Sequence, residues 1–252
     1  MKKTIGTFLI IFSIINIAFT QKKEGKKSFN ATTVNISYAM QLPAADLAND
    51  FSWNFNFGAG VQYLTKSKWL FGGEAGFMFG NSPNVDVLAN LRTVDGEIIA
   101  EDKSYGFVLM EGRGFHAGLL VGKIIPFRKK YPHSGIRITV SGGILQHKIR
   151  IDDKSGLIPQ LAGEYVKGYD RLTYGFSLTE FIGYQHFSNN KRINFFAGFE
   201  FTQGFTQNRR SWDYLTQSKL DNNRLDLLNG IRVGWVLPIF HSDSYNAEEI
   251  FY

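Results

Sequence analysis

Apolar and polar side chains alternate along most of this chain with a period of two. The clearest stretch is 53–64, where Trp53, Phe55, Phe57, Ala59, Val61 and Tyr63 take every second position and Asn54, Asn56, Gly58, Gly60 and Gln62 fill the gaps. Successive side chains of a strand point to opposite faces, so such a segment has one greasy face and one small or polar face. The same pattern closes the chain at 228–237, with Ile231, Val233, Trp235 and Leu237 set against Gly230, Arg232 and Gly234. A soluble barrel turns its apolar face inward, where glycine and arginine would not fill a core. A barrel in lipid reverses the two faces. The pattern therefore predicts an all-β protein, a transmembrane antiparallel up-and-down β-barrel.

Eight segments carry the alternation. The first is 33–41, with Val34, Ile36, Tyr38 and Met40 facing lipid, and the second is 53–64. In the third, from Trp69, residues Trp69, Phe71, Ala75, Phe77 and Phe79 face out and Gly72, Glu74, Gly76 and Gly80 face in. The fourth, about 107–123, puts Phe115, Ala117, Leu119 and Val121 outside and His116, Gly118 and Gly122 inside. The fifth, about 136–151, carries the apolar set Ile136, Ile138, Val140 and Ile144. In the sixth, about 172–187, Glu180 and Phe181 compete for the inner face. The seventh has Phe195, Ala197, Phe199 and Phe201 outside and Gly198, Glu200, Thr202 and Gly204 inside, and the eighth is 228–237. Connections 65–68, about 125–135 and 188–192 are short or medium, whereas 42–52, 81–106, 152–171 and 206–226 are long. Outer-membrane barrels place short turns in the periplasm and long loops outside, so the loops are expected to be extracellular and both termini periplasmic. Trp53, Tyr63, Trp69 and Trp235, near strand ends, suit interfacial aromatic girdles. Ten strands is the alternative count, because Leu91 to Ile99 reads as a hairpin with an Asp95-Gly96 turn. We read it as an extension of strands three and four beyond the membrane.

The N-terminus has the order of a secretory leader. Lys2 and Lys3 are followed by an apolar run from Ile5 to Ile17 and a small-residue site, Ala18-Phe19-Thr20, before Gln21. That run is too short for the ~20 residues of a spanning helix. The expected division is a signal peptide at 1–20, a periplasmic segment at 21–31, the barrel at 32–240 and a periplasmic tail at 241–252. Phe contributes 23 residues and Gly 26 against 6 Pro, usage typical of barrels. The formal charge of +6 falls to about +4 without the two leader lysines, and the basic residues are scattered, which argues against a nucleic-acid partner. The exceptions are Lys22, Lys23, Lys26, Lys27 and the turn Arg128-Lys129-Lys130, read as solvated or headgroup-facing. The absence of Cys excludes a disulfide framework.

Leader, eight amphipathic strands, long loops and a terminal aromatic residue together resemble the OmpA/OmpX-type outer-membrane β-barrel superfamily. The segments Leu91 to Ile99, Pro159 to Tyr165 and Gly168 to Arg171 look similar to barrels common in Bacteroidota-type bacteria. The resemblance implies residence in the outer membrane of a Gram-negative cell, with outer-membrane lipid and the barrel assembly machinery as partners. The chain departs from the usual ending, because about a dozen residues follow Pro238. Either Phe251-Tyr252 or Trp235–Phe240 then serves as the assembly signal.

Glu74, Glu200 and Arg232, with His116 and Glu180, are expected to share the lumen. Charges there need partners, since an unpaired buried charge costs several kcal/mol. They form either a structural ion-pair network plugging a narrow interior or a gated ion path. The five His residues show no metal-ligand spacing. His147 beside Asp152, Asp153 and Ser155 is the one arrangement that a rim-acting enzyme would use. No nucleophile elbow or phosphate-cradling loop appears, and no cofactor or metal is expected. In the long loops, Val85, Val87, Leu88 and Leu91, then Leu157, Ile158, Leu161, Tyr165 and Tyr169, either dock a protein or pack into a cap. The leading expectation is a non-enzymatic, porin-like barrel with a plugged lumen whose loops bind a protein partner, as a subunit of an outer-membrane assembly or secretion complex. The alternatives are a conduit or binder for a small hydrophobic molecule, and the rim enzyme.

Overall fold

The computed structural model describes residues 29–80, 83–128, 131–188 and 193–240. The leader at 1–20, nearly all of the 21–31 segment, Lys129 and Lys130, and the tail at 241–252 with His241 lie outside the described residues.

Eight long strands close into one antiparallel ring. They are β1 (Ala31–Ala45), β2 (Asn54–Leu64), β3 (Trp69–Gly80), β6 (Val108–Pro126), β7 (Gly135–Asp153), β8 (Thr173–Phe187), β9 (Asn194–Asn208) and β10 (Asn223–Phe240). The order around the ring is β1-β10-β9-β8-β7-β6-β3-β2, so every strand pairs with its neighbours in sequence and β1 pairs with β10 to close it. Closure leaves no strand edge, the condition for a sheet to cross lipid. Two further strands, β4 (Ile98–Ile99) and β5 (Tyr105–Gly106), form a separate small sheet in the long 81–107 connection. The Asp95-Gly96 turn is present, with Gly96 at φ 84 and an Arg92–Ile98 bridge. The hairpin thus stays outside the ring and the barrel count is eight.

The two faces sort as the alternation requires. Ile36, Tyr38, Met40, Phe57, Val61, Phe71, Phe77, Phe115, Ile144, Phe176, Phe199, Ile231 and Trp235 all stand exposed on the outer wall. On β8 the exposed apolar positions reach from Tyr174 to Tyr184, ten residues apart. At ~3.3 Å per residue and a tilt of ~40° this gives a belt of ~25 Å, the height of a membrane hydrocarbon core. Trp69 and Trp235 lie toward the short-turn end, and Lys123 Nζ stands 4.9 Å over the Trp69 ring. Trp53 lies at the long-loop end.

The interior is layered, and this departs from a uniformly small or polar lumen. Near the short turns the inward positions are Leu64, Leu70, Leu120, Ile124, Phe181, Phe187, Phe196 and Val236, a buried apolar cluster. Under the long loops a second cluster joins Leu145, Ile149 and Leu228 of the wall to Leu47, Phe51, Val87, Leu88, Ile98, Ala100, Ile158, Leu161 and Tyr169. Between them the lumen is polar. Inward glycines make room for these side chains. A Cβ on Gly234 would stand 2.3 Å from the Phe196 ring, and one on Gly76 2.2 Å from His116 Nε2.

Candidate functional site

The polar layer is built around Arg232, on the inner face of β10. Its guanidinium donates to Glu200 Oε2 at 2.8 Å, to Glu74 Oε2 at 2.9 Å and to Ser37 Oγ at 3.1 Å. The remaining carboxylate oxygens are also met: Ser141 Oγ donates to Glu74 Oε1 at 2.7 Å and Gln41 Nε2 to Glu200 Oε1 at 2.8 Å. Arg232 and Glu200 stand on the neighbouring strands β10 and β9, whereas Glu74 is on β3, so it is the Arg232–Glu74 bond that crosses the lumen. His116 points inward as well, but its bond is to Asn56, with Asn56 Nδ2 2.8 Å from His116 Nε2.

Glu180 is not part of this layer. Phe181 takes the inner face, buried at 3% exposure against Phe196, and Thr179 on the same side meets Thr202 across the β8–β9 pair. Glu180 therefore lies on the outer wall, opposite the exposed Val140 and Phe201. The physical reason is that the Phe181 ring completes the short-turn seal against Phe196, and the period of two then sends its neighbour out.

The lumen holds a second cation that the sequence pattern concealed. Arg137, on the inner face of β7, donates to Gln62 and Gln185 at 2.9 Å each, and its guanidinium lies 4.3 Å from the Phe196 ring centre. Unlike Arg232, it is met by neutral carboxamide acceptors and an aromatic face, with no direct bond to a carboxylate. The signal was available, since Arg137 sits between the outward Ile136 and Ile138.

At the long-loop mouth a further set of ion pairs ties the loops to the wall. Asp50 receives Arg224 at 2.7 Å and Arg171 at 3.1 Å, and Arg171 also reaches Asp213 at 3.0 Å. Arg210 pairs with Asp170 at 2.5 Å, which holds the arginine above its ordinary pKa. The Ile149 N–H donates to the Asp170 carbonyl at 2.8 Å. Each of these bonds joins segments far apart in sequence, which is why spacing alone did not reveal them.

His147 belongs to this mouth and not to a catalytic rim. Its Nε2 lies 2.8 Å from Asp226 Oδ2, which also accepts from Thr206 and whose other oxygen takes Arg224 at 3.1 Å. Asp152 is held by Lys154 at 2.6 Å, and Asp153 accepts from Ser155 and from the Ile158 N–H. The His147, Asp152, Asp153 and Ser155 grouping is therefore not assembled, because His147 faces inward on β7 while the acids turn into the loop.

The five loop residues separate into two groups. Ile158, Leu161 and Tyr169 are buried in the apolar cluster, and burial raises the Tyr169 phenol above its ordinary pKa. Leu157 and Tyr165 remain exposed, at 39% and 64%. Tyr165 and Tyr169, with Pro159, Gln160 and Tyr214, line an open cleft on the cap, and the Tyr169 and Tyr214 rings stand 5.1 Å apart. Tyr214 comes from the 209–222 loop, which sequence reasoning treated only as a long connection.

These features define a class: a membrane-spanning, eight-stranded antiparallel β-barrel with a crossed lumen and a folded loop cap. No protein-family model matches the chain, and no curated protein matches it. Among solved structures it is similar to the Neisserial surface protein A, at 8% identity over 82% of this chain and 96% of that one, TM-score 0.43. It is similar also to Ail of Yersinia pestis, solved with the heparin analogue sucrose octasulfate, at 13% identity over 82% and 99%, TM-score 0.41. A third is OprG of Pseudomonas aeruginosa, at 10% identity over 86% and 99%, TM-score 0.35. Identities and scores this low leave the assignment to rest on the closed register and the apolar belt.

Proposed function

We propose that the protein is a non-enzymatic barrel of the bacterial outer membrane with a closed lumen, whose extracellular cap docks a protein partner within a larger outer-membrane assembly or secretion complex. The long loops face outward from the cell and the termini the periplasm, as the alternation of short and long connections suggests. The observation that carries the docking reading is the exposure of Leu157 and Tyr165 on a cap whose core is already filled by nine buried residues packed on four of the wall. The cap does not need these side chains for its packing. Tyrosine at the lip of a cleft is favoured at binding hot spots. For the lumen, two apolar seals and the crossing Arg232 bonds favour a plug over a conduit.

Paired substitutions test the docking. Leu157→Ser with Tyr165→Ser is expected to leave the barrel folded and heat-resistant while a protein that co-purifies with the unmodified chain is lost. Tyr169→Ser, in contrast, is expected to loosen the cap itself. Retention of every co-purifying protein by the Leu157, Tyr165 double variant would sink the docking reading. The closed lumen predicts no steady conductance in planar bilayers, and large stable channels from the unmodified protein would overturn it.

A further inference from the structure

Three polar side chains interrupt the lipid-facing belt, and they fall on three consecutive strands. Glu180 on β8 stands between the outward Leu178 and Ile182. Gln203 on β9 stands between Phe201 and Phe205, and Asn229 on β10 between Leu227 and Ile231. On the other five barrel strands the outward positions between the girdle level and the polar rim are apolar or glycine. The register gathers the three into one patch. Glu180 lies directly opposite Phe201, Phe201 directly opposite Asn229, and Gln203 is the next outward position along β9. Counted along β8, Glu180 is six residues from Tyr174 and four from Tyr184, near the middle of the belt. None of the three has a side-chain hydrogen bond among the described residues.

Hydrocarbon supplies no partner for a carboxyl or a carboxamide, so polar groups at this depth are costly and find partners in protein. The chemistry of the patch says which protein. A carboxamide both donates and accepts, and a carboxylate accepts, so one patch holds both halves of a hydrogen-bonded contact. A two-fold arrangement brings a patch against itself and requires this kind of self-complementarity. We propose that the β8–β10 face is a homodimer interface within the membrane. Glu180 of one barrel meets the Gln203 and Asn229 amides of its copy, and Phe201 lies near the axis against its own counterpart. Leu178, Phe199, Phe205 and Ile231 supply the apolar packing around it. This interface is separate from the cap, so its failure and that of loop docking are read independently.

The chain has no cysteine, which makes single-cysteine crosslinking specific. The full chain carrying Phe201→Cys is reconstituted at low density in phosphatidylcholine–phosphatidylglycerol vesicles and treated with a lipid-soluble oxidant. A disulfide-linked dimer is expected. Phe77→Cys, on β3 across the ring, is expected to give none. Adding Glu180→Leu to the Phe201→Cys chain is expected to lower the dimer about tenfold, since a polar contact in a bilayer changes association roughly threefold and symmetry removes two. Glu180→Gln is expected to preserve it. Heat-shifted electrophoretic mobility confirms that each variant is a folded barrel. Sedimentation equilibrium of the unmodified chain in density-matched detergent, expected to give the dimer mass, does not depend on any substitution. Equal crosslinking at the two positions, a dimer indifferent to Glu180→Leu, a monomer by sedimentation, or crosslinking in intact membranes to a different protein instead of a second copy each overturns the proposal.

Discussion

Arg232→Ala is the sharpest perturbation of this barrel, because one guanidinium holds two carboxylates that lie at 2% and 6% exposure. The substitution removes bonds of 2.8 and 2.9 Å to Glu200 and Glu74 and leaves each acid with a single neutral donor, Gln41 and Ser141 respectively. Arg137, held by Gln62 and Gln185 at 2.9 Å each, makes no direct bond to either acid. Removing one partner of a buried ion pair costs about 3–5 kcal/mol, chiefly through the uncompensated charge left behind. We therefore expect Arg232→Ala to lower the unfolding free energy by about that amount. The measurement is denaturant unfolding in detergent micelles or bilayers, with heat-modifiable electrophoretic mobility as an independent check. A second variant separates charge from packing. Arg232→Met with Glu74→Gln and Glu200→Gln removes all three charges while keeping acceptors for Ser141 and Gln41, and it is expected within about 1 kcal/mol of the unmodified protein. A single variant as stable as the parent, or a triple variant as weak as the single, would refute the argument that paired charge holds the lumen together.

Four further outcomes are expected, three from the structure and one from the sequence. His133 is buried in the turn between β6 and β7, accepts the Phe29 N–H at its Nε2, and is pushed down to about 4 by burial and by Lys68. The unfolded chain then binds a proton that the folded one refuses. Stability is therefore complete above ~6.5 and falls by up to ~3 kcal/mol as pH drops toward 4, and His133→Phe should flatten unfolding curves across that window. Tyr169→Ser, which empties a buried position in the cap, should cost about 3 kcal/mol and raise proteolysis of the loops before any change in the barrel. Gly234→Val would force the Phe196 ring aside and should cost about 1–3 kcal/mol in the same unfolding assay. The purified protein should begin at Gln21, and a mass that includes Met1 would show that the leader reading is wrong.

The period of two determined the barrel. Because side chains on a strand must alternate, the run from Trp53 to Tyr63 and the run from Ile231 to Leu237 each specified a strand, its two faces and the medium it meets. Inward Glu74, Glu200 and Arg232 were legible for the same reason, and so was Arg137, had its flanking isoleucines been weighed. What alternation leaves open is which of two neighbours wins when both suit a face. Glu180 and Phe181 were decided only by the space within the short-turn seal, where Phe196 and Arg137 offer a ring something to pack on. The seals were hidden too, since Leu64, Leu70 and Leu120 read as ordinary apolar residues until closure turns them toward one another. The mouth was the least legible part. Arg171 with Asp50, Arg210 with Asp170 and His147 with Asp226 join residues 40 or more positions apart, and no local pattern encodes a contact that only loop closure creates. Local sterics set the faces of each strand, so the chain announces them residue by residue. Which side chains meet across the lumen and over its mouth depends on strand order and loop packing, and only the closed ring brings them together.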